Sequence, residues 1–387
     1  MIASLAAFLL LVAAALPAAA KDTLTFHYVY IEDEPYYAPD PAYTGLDLHV
    51  RHRPREGVET GLKESRIPGR AVEITFELLD LPASDSQDAA ARVVRAADGG
   101  AGVFLLDLPA AGVRDVAAAT AGRPAVVLLD MRATDDDLRA ICEPALLHIA
   151  PSRSMLADAL AQHLKSMSWT RVLMLVGDQP EDEITAAAFR AAADKFGLAV
   201  VAERPFVLGN DPRQRDRTSI PLMTGEPAYD VVYLADSVGE FGRYVPYATV
   251  LPRPVVGSEG LTAEAWSWTF ERHGAPQLNQ RFERVAGRHM TSEDWVGWAA
   301  VKSIVEAAVR LRTTSVPQIR DYLRGDAFAL DTYKGAPGTF RPWSGQLRQP
   351  VLLSTHNAVI ARAPLEGFLH ERNNLDTLGS DSEQNCR

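Results

Sequence analysis

An α/β protein of two lobes, each built on a parallel sheet, is the fold class this sequence predicts. Three observations carry that expectation. Short apolar runs of strand length recur between helical-length stretches: GVFLL at 102–106, AVVLL at 125–129, RVLMLV at 171–176 and DVVYL at 230–234. Strands that are apolar throughout, and not on alternate residues, are those buried on both faces, as in parallel sheets covered by helices. The alternation happens twice, with a fresh start near residue 150. A chain of 387 residues also exceeds what one ordinary core organises.

The elements follow in order. The first strand is read at 24–31 (LTFHYVYI), rich in aromatic and β-branched residues, and the polar stretch EDEPYYAPDP (32–41) follows it. GVETGLKES (57–65) reads as a short helix closed by Ile67-Pro68-Gly69. A second strand is expected at 72–79 and a helix at 84–97, with Asp85, Ser86 and Asp88 in its first turn, where acids and capping side chains meet free N–H groups. The third strand ends at Asp107, a helix spans 113–120, and the fourth strand ends at Asp130. A fifth strand at 146–150 leads into the second unit, where Pro151-Ser152 breaks and caps a helix at 154–167. Its Met155, Leu156, Ala159, Leu160 and Leu164 fall close to an i, i+3, i+4 stripe. Then come the strand at 171–176, a helix at 184–196, a strand running to Phe206, and the charged loop 211–216. The strand at 230–234 leads to Asp236, and a short one at 254–257 leads to Ser258-Glu259-Gly260. From 262 to 325 the pattern is helical, at 279–286, 294–311 and 316–323, and late strands are read at 340–343 and 351–355. This order places lobe 1 at 21–148 plus about 260–335, lobe 2 at 149–259 plus about 336–362, and a tail at 363–387 that packs back on lobe 1.

Net charge is −11 and the pI about 5.4, which argues against nucleic acid or anionic membrane as a partner. Residues 1–20 carry no charge and end in Ala18-Ala19-Ala20 before Lys21, the pattern of a cleaved signal peptide; the mature protein is expected to be exported and periplasmic, without membrane insertion. Two cysteines, Cys142 and Cys386, are expected to pair in that compartment, and two alone make no zinc site. G-x-S-x-G, H-E-x-x-H, P-loop and G-x-G-x-x-G patterns are all absent, so the sequence offers no catalytic residues and no enzyme is expected. His49 and His52 stand three apart, in a setting that is not helical in pattern.

Ligands of open α/β sheets sit beyond the carboxyl ends of strands. Those ends carry Asp107, Asp130, Asp178, Asp236 and Glu259. Converging carboxylates would suit a cation: an amine, a polyamine, or a hard ion such as calcium or a lanthanide. Each acid has a second reading, as the cap of the helix that follows. Arg132, Arg153 and Arg243 lie near strand ends or hinges, where they would clamp a carboxylate or join the lobes by ion pairs. Glu32, Asp33 and Glu34, with Asp40, Tyr36, Tyr37 and Tyr43, form either a lid over the cleft or a solvated loop; the spacing is not that of an EF-hand. Glu181–Glu183 read as helix-start acids, and Trp266, Trp268, Trp295 and Trp298 as core.

The order of elements resembles the type I periplasmic binding proteins of the branched-chain amino acid (Leu/Ile/Val) branch. The supporting residues are the exported N-terminus, GLKES after the first strand, the alanine-rich helix before Gly102-Val103-Phe104, and TSEDWVGWAAVKSIVEAA at 291–308. LLHIAPSRSMLADALAQHL (146–164) and PLEGFLHERNNLDTLGSDSEQNC (364–386) resemble the subfamily associated with pyrroloquinoline quinone-dependent alcohol oxidation. The resemblance implies two Rossmann-like lobes joined by a multi-strand hinge, a small ligand between them, and an inner-membrane ABC permease as partner. A periplasmic accessory or sensor protein of the alcohol-oxidation system is the alternative. Where that family places small hydroxyl residues for a ligand carboxylate, this chain has Asp107-Leu108-Pro109 and Asp130-Met131-Arg132, a departure from a plain amino acid site.

Overall fold

The computed structural model describes residues 22–39, 45–48, 50–209 and 211–379. The expected signal peptide, Asp40, Tyr43, His49 and Cys386 lie outside the described residues. The first sheet contains β1 (Asp22–Ile31), β2 (Ile74–Ala83), β3 (Val103–Asp107), β4 (Val127–Asp130) and β5 (Leu146–His148), all parallel, in the order β2-β1-β3-β4-β5. β3 and β4 are buried along their whole length, as their unbroken apolar runs require. Helices α1 (Arg55–Ala71), α2 (Ser86–Asp98) and α3 (Ala110–Thr120) connect these strands. The second sheet contains β6 (Arg171–Val176), β7 (Ala199–Pro205), β8 (Val231–Ala235) and β9 (Val255–Gly257), also parallel, in the order β7-β6-β8-β9. α4 (Arg153–Ser166), α5 (Pro180–Phe196) and the short α6 (Arg215–Thr218), α7 (Ile220–Met223) and α8 (Val245–Ala248) belong to this lobe.

After β9 the chain forms β10 (Thr262–Glu264), α9 (Ala275–Ala286), α10 (Ser292–Leu311) and α11 (Val316–Leu323). The strands β11 (Leu330–Asp331), β12 (Pro337–Phe340), β13 (Leu347–Arg348), β14 (Val351–Thr355) and β15 (Ala358–Ala363) follow. α10 is apolar nearly all round and lies in the first core with Trp266, Trp295 and Trp298. Gly57 of α1 faces the Asp294 carbonyl and Gly297 of α10 faces the Pro54 carbonyl, with no room for a Cβ at either site, so the backbones at these two helix starts touch. That contact fixes where the start of α10 stands, which matters for the cleft.

Three segments join the lobes: 149–152 after β5, 258–261 after β9, and 349–350 after β13. β10, β14 and β15 form an antiparallel sheet between the lobes, in which Val351 and Leu353 face the second core and Leu352 the first, the period-2 alternation of a strand serving two cores. One buried side chain ties the first and third of these segments to the chain just after β10. Lys334 Nζ donates to Ala265 O and to Gln349 Oε1, each at 2.8 Å, and Gln349 Nε2 donates to Ile149 O at 2.7 Å. The Lys334 ammonium position also lies 3.6 Å from the Trp295 ring centroid. Burial pushes this amine well below the ordinary lysine range.

Four sequence expectations are corrected here. The helix expected to close at Ile67-Pro68-Gly69 continues to Ala71, because Pro68 sits in its last turn, where losing one N–H costs a single helical bond. The segment after 262 does not turn helical at once; β10 pairs antiparallel with β14 first, and irregular chain runs on to Gly274. Phe340 and Leu347 belong to the first core, so the last stretch of lobe 2 begins near β14, not at about 336. The tail, expected on lobe 1, meets both lobes as far as Gly379: it bonds Arg341 and Arg348 beside the first core, and α4 and α5 of lobe 2. Lys195 of α5 donates to Thr377 O and Gly379 O at 3.0 Å, and Asp158 of α4 accepts from Gly379 N at 2.7 Å.

Candidate ligand-binding cleft

A cleft of about 1240 Å³ separates the two lobes at the carboxyl ends of their sheets. Lobe 1 supplies Tyr36, Tyr37, Met131, Arg132, Trp268 and the stretch from His289 to Glu293. Lobe 2 supplies Leu156, Arg243, Pro246, Tyr247 and Glu259, and the floor is made by Ala150, Pro151, residues 262–267 and residues 354–356.

Asp107 ends β3 with no solvent exposure. It accepts hydrogen bonds from the Tyr28 hydroxyl (2.8 Å), the Tyr37 hydroxyl (2.5 Å) and Arg53 Nη1 (2.9 Å). Burial first, and then this carboxylate, hold both tyrosines above the ordinary phenol range. Asp130 is equally buried; it accepts from the N–H groups of Arg132 and Ala133 and lies 2.8 Å from His148 Nδ1. Asp236 accepts from the N–H groups of Val238, Gly239 and Gly242. Burial pushes its carboxyl up while those N–H groups oppose the shift. Asp178 is exposed and outside the cleft lining. Of the five strand-end acids, Glu259 alone lines the cleft; three of the others serve turns, the hinge and a buried ion pair.

The lid residues divide in the same way. Glu32 and Asp33 are exposed and away from the lining. Glu34 caps the single turn Pro35–Tyr37 and pairs with Arg132 at 3.2 Å. Burial alone would raise the Glu34 carboxyl, but Arg132 and the Tyr36 N–H outweigh it and hold it below its usual value. The Arg132 guanidinium lies 4.4 Å from the Tyr36 ring centroid and 5.3 Å from that of Tyr37, so Arg132, Tyr36 and Tyr37 make one packed wall. Arg153 joins Glu181 of α5 (3.0 Å) and Asp135 of lobe 1 (3.9 Å), which is the interlobe role. Arg243 lines the cleft from lobe 2 over the Tyr244 ring at 4.7 Å, and its Nε has no hydrogen-bond partner among the described residues.

Sequence reasoning missed the wall between β10 and the start of α10. Trp266 N donates to Ser292 Oγ, and that hydroxyl donates back to Trp266 O, both at 3.1 Å. The Trp268 and His289 rings stack at 4.1 Å with an angle of 4°. Trp268, read from sequence as core, is 45% exposed on the cleft. Glu264 accepts from the Ser354 hydroxyl and also bonds Ser267. Burial pushes its carboxyl up to about 7, and the nearby Glu293 adds to the rise. One signal was available: Thr291 and Asp294 complete the capping box of α10, so Glu293 is a second acid that the helix start does not require.

A stability prediction follows from Glu264. A carboxyl that titrates higher when folded than its usual 4.5 contributes fully below the lower value and is lost as pH rises through the higher one. Glu264→Gln is therefore expected to match the parent near pH 4.5 and to exceed it by about 2 kcal/mol at pH 8, allowing for partial exposure. Urea unfolding at the two pH values measures the gap; a gap independent of pH would contradict the assignment.

No family model and no curated protein matches the sequence. Solved structures match over most of the chain. A branched-chain amino acid ABC transporter periplasmic ligand-binding protein from Burkholderia xenovorans superposes with a TM-score of 0.68 at 12% identity, covering 88% of this chain and 95% of its own. A Rhodospirillum rubrum protein described as a putative branched-chain amino acid ABC transporter gives 0.68 at 18% identity, with coverage of 88% and 99%. The fold is that of the type I periplasmic binding proteins. A third structure, an ABC transporter substrate-binding protein from Desulfitobacterium hafniense in complex with Leu, gives 0.65 at 17% identity, with coverage of 87% and 98%. Two parallel sheets with a cleft at their strand ends are the architecture that this likeness of fold covers. Among the described residues no helix is long and apolar enough to cross a membrane, and no group of three or more His, Cys, Asp or Glu is placed to hold a metal ion.

Proposed function

We propose that this chain is the periplasmic solute-binding component of an ABC importer, which closes its lobes over a small organic ligand and delivers it to an inner-membrane permease. The observation that supports this best is the cleft itself. Its walls come from both lobes, its floor is the hinge, and at about 1240 Å³ it stands open. Closure by rotation at the three hinge segments would bring Arg243 and Tyr247 toward Tyr36 and Trp268. Calcium or a lanthanide as ligand has no three-residue cluster behind it among the described residues, so an organic solute is the better reading. The link to quinone-dependent alcohol oxidation rests on the resemblance of 146–164 and 364–386 alone.

A screen tests the reading. Amino acids, amines, alcohol-derived acids, pyrroloquinoline quinone, calcium and lanthanides are compared by thermal shift and small-angle scattering. One solute class is expected to raise the melting temperature and shrink the radius of gyration. Ligand at a hundred times its Kd adds about 2.7 kcal/mol. Stability and shape unchanged by every class would refute importer function, and capture of a quinoprotein dehydrogenase instead would favour the accessory role.

A further inference from the structure

The lobe 1 wall of the cleft holds more acid than its own structure uses. Glu264 and Glu293 take part in no ion pair among the described residues. They sit on two segments zipped together by the Trp266–Ser292 hydrogen bonds, close enough that Glu293 raises the Glu264 carboxyl. Tyr36 lines the same cleft as Glu293. Asp294 caps α10 and pairs directly with Arg288 at 2.5 Å, whereas Glu293 takes no part in the cap and acts on Arg288 only as a nearby charge. The exposed Trp268 ring stands on the same wall, fixed by His289 behind it. Two carboxyls and two aromatic rings lining one cleft large enough for a solute make the setting in which a positively charged nitrogen is held by charge and ring faces together.

We propose that Glu264 and Glu293, with the rings of Tyr36 and Trp268, form a seat for the cationic nitrogen of an organic ligand. The proposal rests on the solute-binding reading and names its ligand class: amines and quaternary ammonium compounds. A cation there replaces the proton that Glu264 otherwise shares, and it offsets the repulsion between the two acids. Across the cleft Arg243 is placed to meet an anionic end on closure, so a zwitterion with its nitrogen toward lobe 1 fits both walls. The titratable and charged groups around the seat are Arg288 and His289 before α10, His356 after β14, Glu259 after β9, and Tyr36 with Arg132 on the strand-end side.

Calorimetric titration of the full chain with choline, glycine betaine, ethylamine and spermidine tests the seat, against uncharged 3,3-dimethylbutan-1-ol and the anions benzoate and glutarate. At least one cation is expected to bind 100-fold or more tighter than the uncharged isostere, with betaine above choline if Arg243 engages. Glu264→Gln and Glu293→Gln are each expected to weaken that cation at least tenfold without lowering the melting temperature of the ligand-free protein. Cation affinity should rise about tenfold from pH 6 to pH 8, as a carboxyl near 7 ionises, and should lose most of that rise in Glu264→Gln. Binding of the isostere equal to that of choline, or cation affinity unchanged in both variants, overturns the seat. An anion that binds and closes the lobes overturns the seat but leaves the solute-binding reading standing. If neither set binds, the seat falls, and the wider solute screen alone decides the solute-binding reading.

Discussion

Replacing Asp376 with alanine is expected to cost about 3–5 kcal/mol, the range for stranding buried charge. Asp376 is fully buried in the tail, and its Oδ1 accepts from Arg341 Nε and Arg348 Nε, both at 2.8 Å. Arg341 is itself 2% exposed, and its Nη2 also donates to Leu375 O and Leu378 O. Alanine leaves two guanidinium groups without their carboxylate. Arg348 immediately precedes the third hinge segment, so the loss should also loosen that connection and lower ligand affinity. The double change Asp376→Leu with Arg341→Met should recover part of the loss, since replacing a buried ion pair outright costs less than breaking it. Urea midpoints for the single and double variants decide this. A single-variant loss below about 1 kcal/mol would mean that water reaches the guanidinium groups and that the tail does not secure the hinge.

The same tail shows where sequence reading stops. PLEGFLHERNN carries no apolar period, and nothing local says that Asp376 meets arginines 35 and 28 residues earlier. By contrast RVLMLV, AVVLL and DVVYL could only be strands buried on both faces, and those elements, their order and the restart near 150 were legible. So were the helix starts at Asp85 and Ser152, because a cap is a matter of three adjacent residues. The strand-end acids were legible as positions but not as roles. Whether Asp130 faces a ligand or His148 depends on where β5 and the loop before β13 lie, a non-local fact. The two cleft acids that went unread, Glu264 and Glu293, come from opposite ends of a 29-residue separation closed by Trp266 and Ser292, and their surroundings were taken for one helical block.

Asp107→Asn separates the two kinds of acid. Asparagine keeps the shape but has one acceptor oxygen where the carboxylate has two, and its amide donates toward groups that are themselves donors: the Tyr28 and Tyr37 hydroxyls and Arg53. One buried hydroxyl loses its acceptor and Arg53 loses its counter-charge, so the expected cost is about 2–4 kcal/mol in the urea midpoint. Ligand affinity, in contrast, should change by less than about threefold, because Asp107 itself has no exposure and reaches the cleft only through Tyr37. Glu264→Gln is expected to do the reverse, raising stability at pH 8 and lowering affinity. The two variants differ by one atom in the same way, carboxylate oxygen to amide nitrogen, so their opposite outcomes would trace to position alone. A stable Asp107→Asn protein with affinity reduced tenfold would place the ligand at the end of β3, as the strand-end reading of the sequence first expects. In that case the cation seat would have to move from the wall of β10 and α10 to the floor of the first sheet.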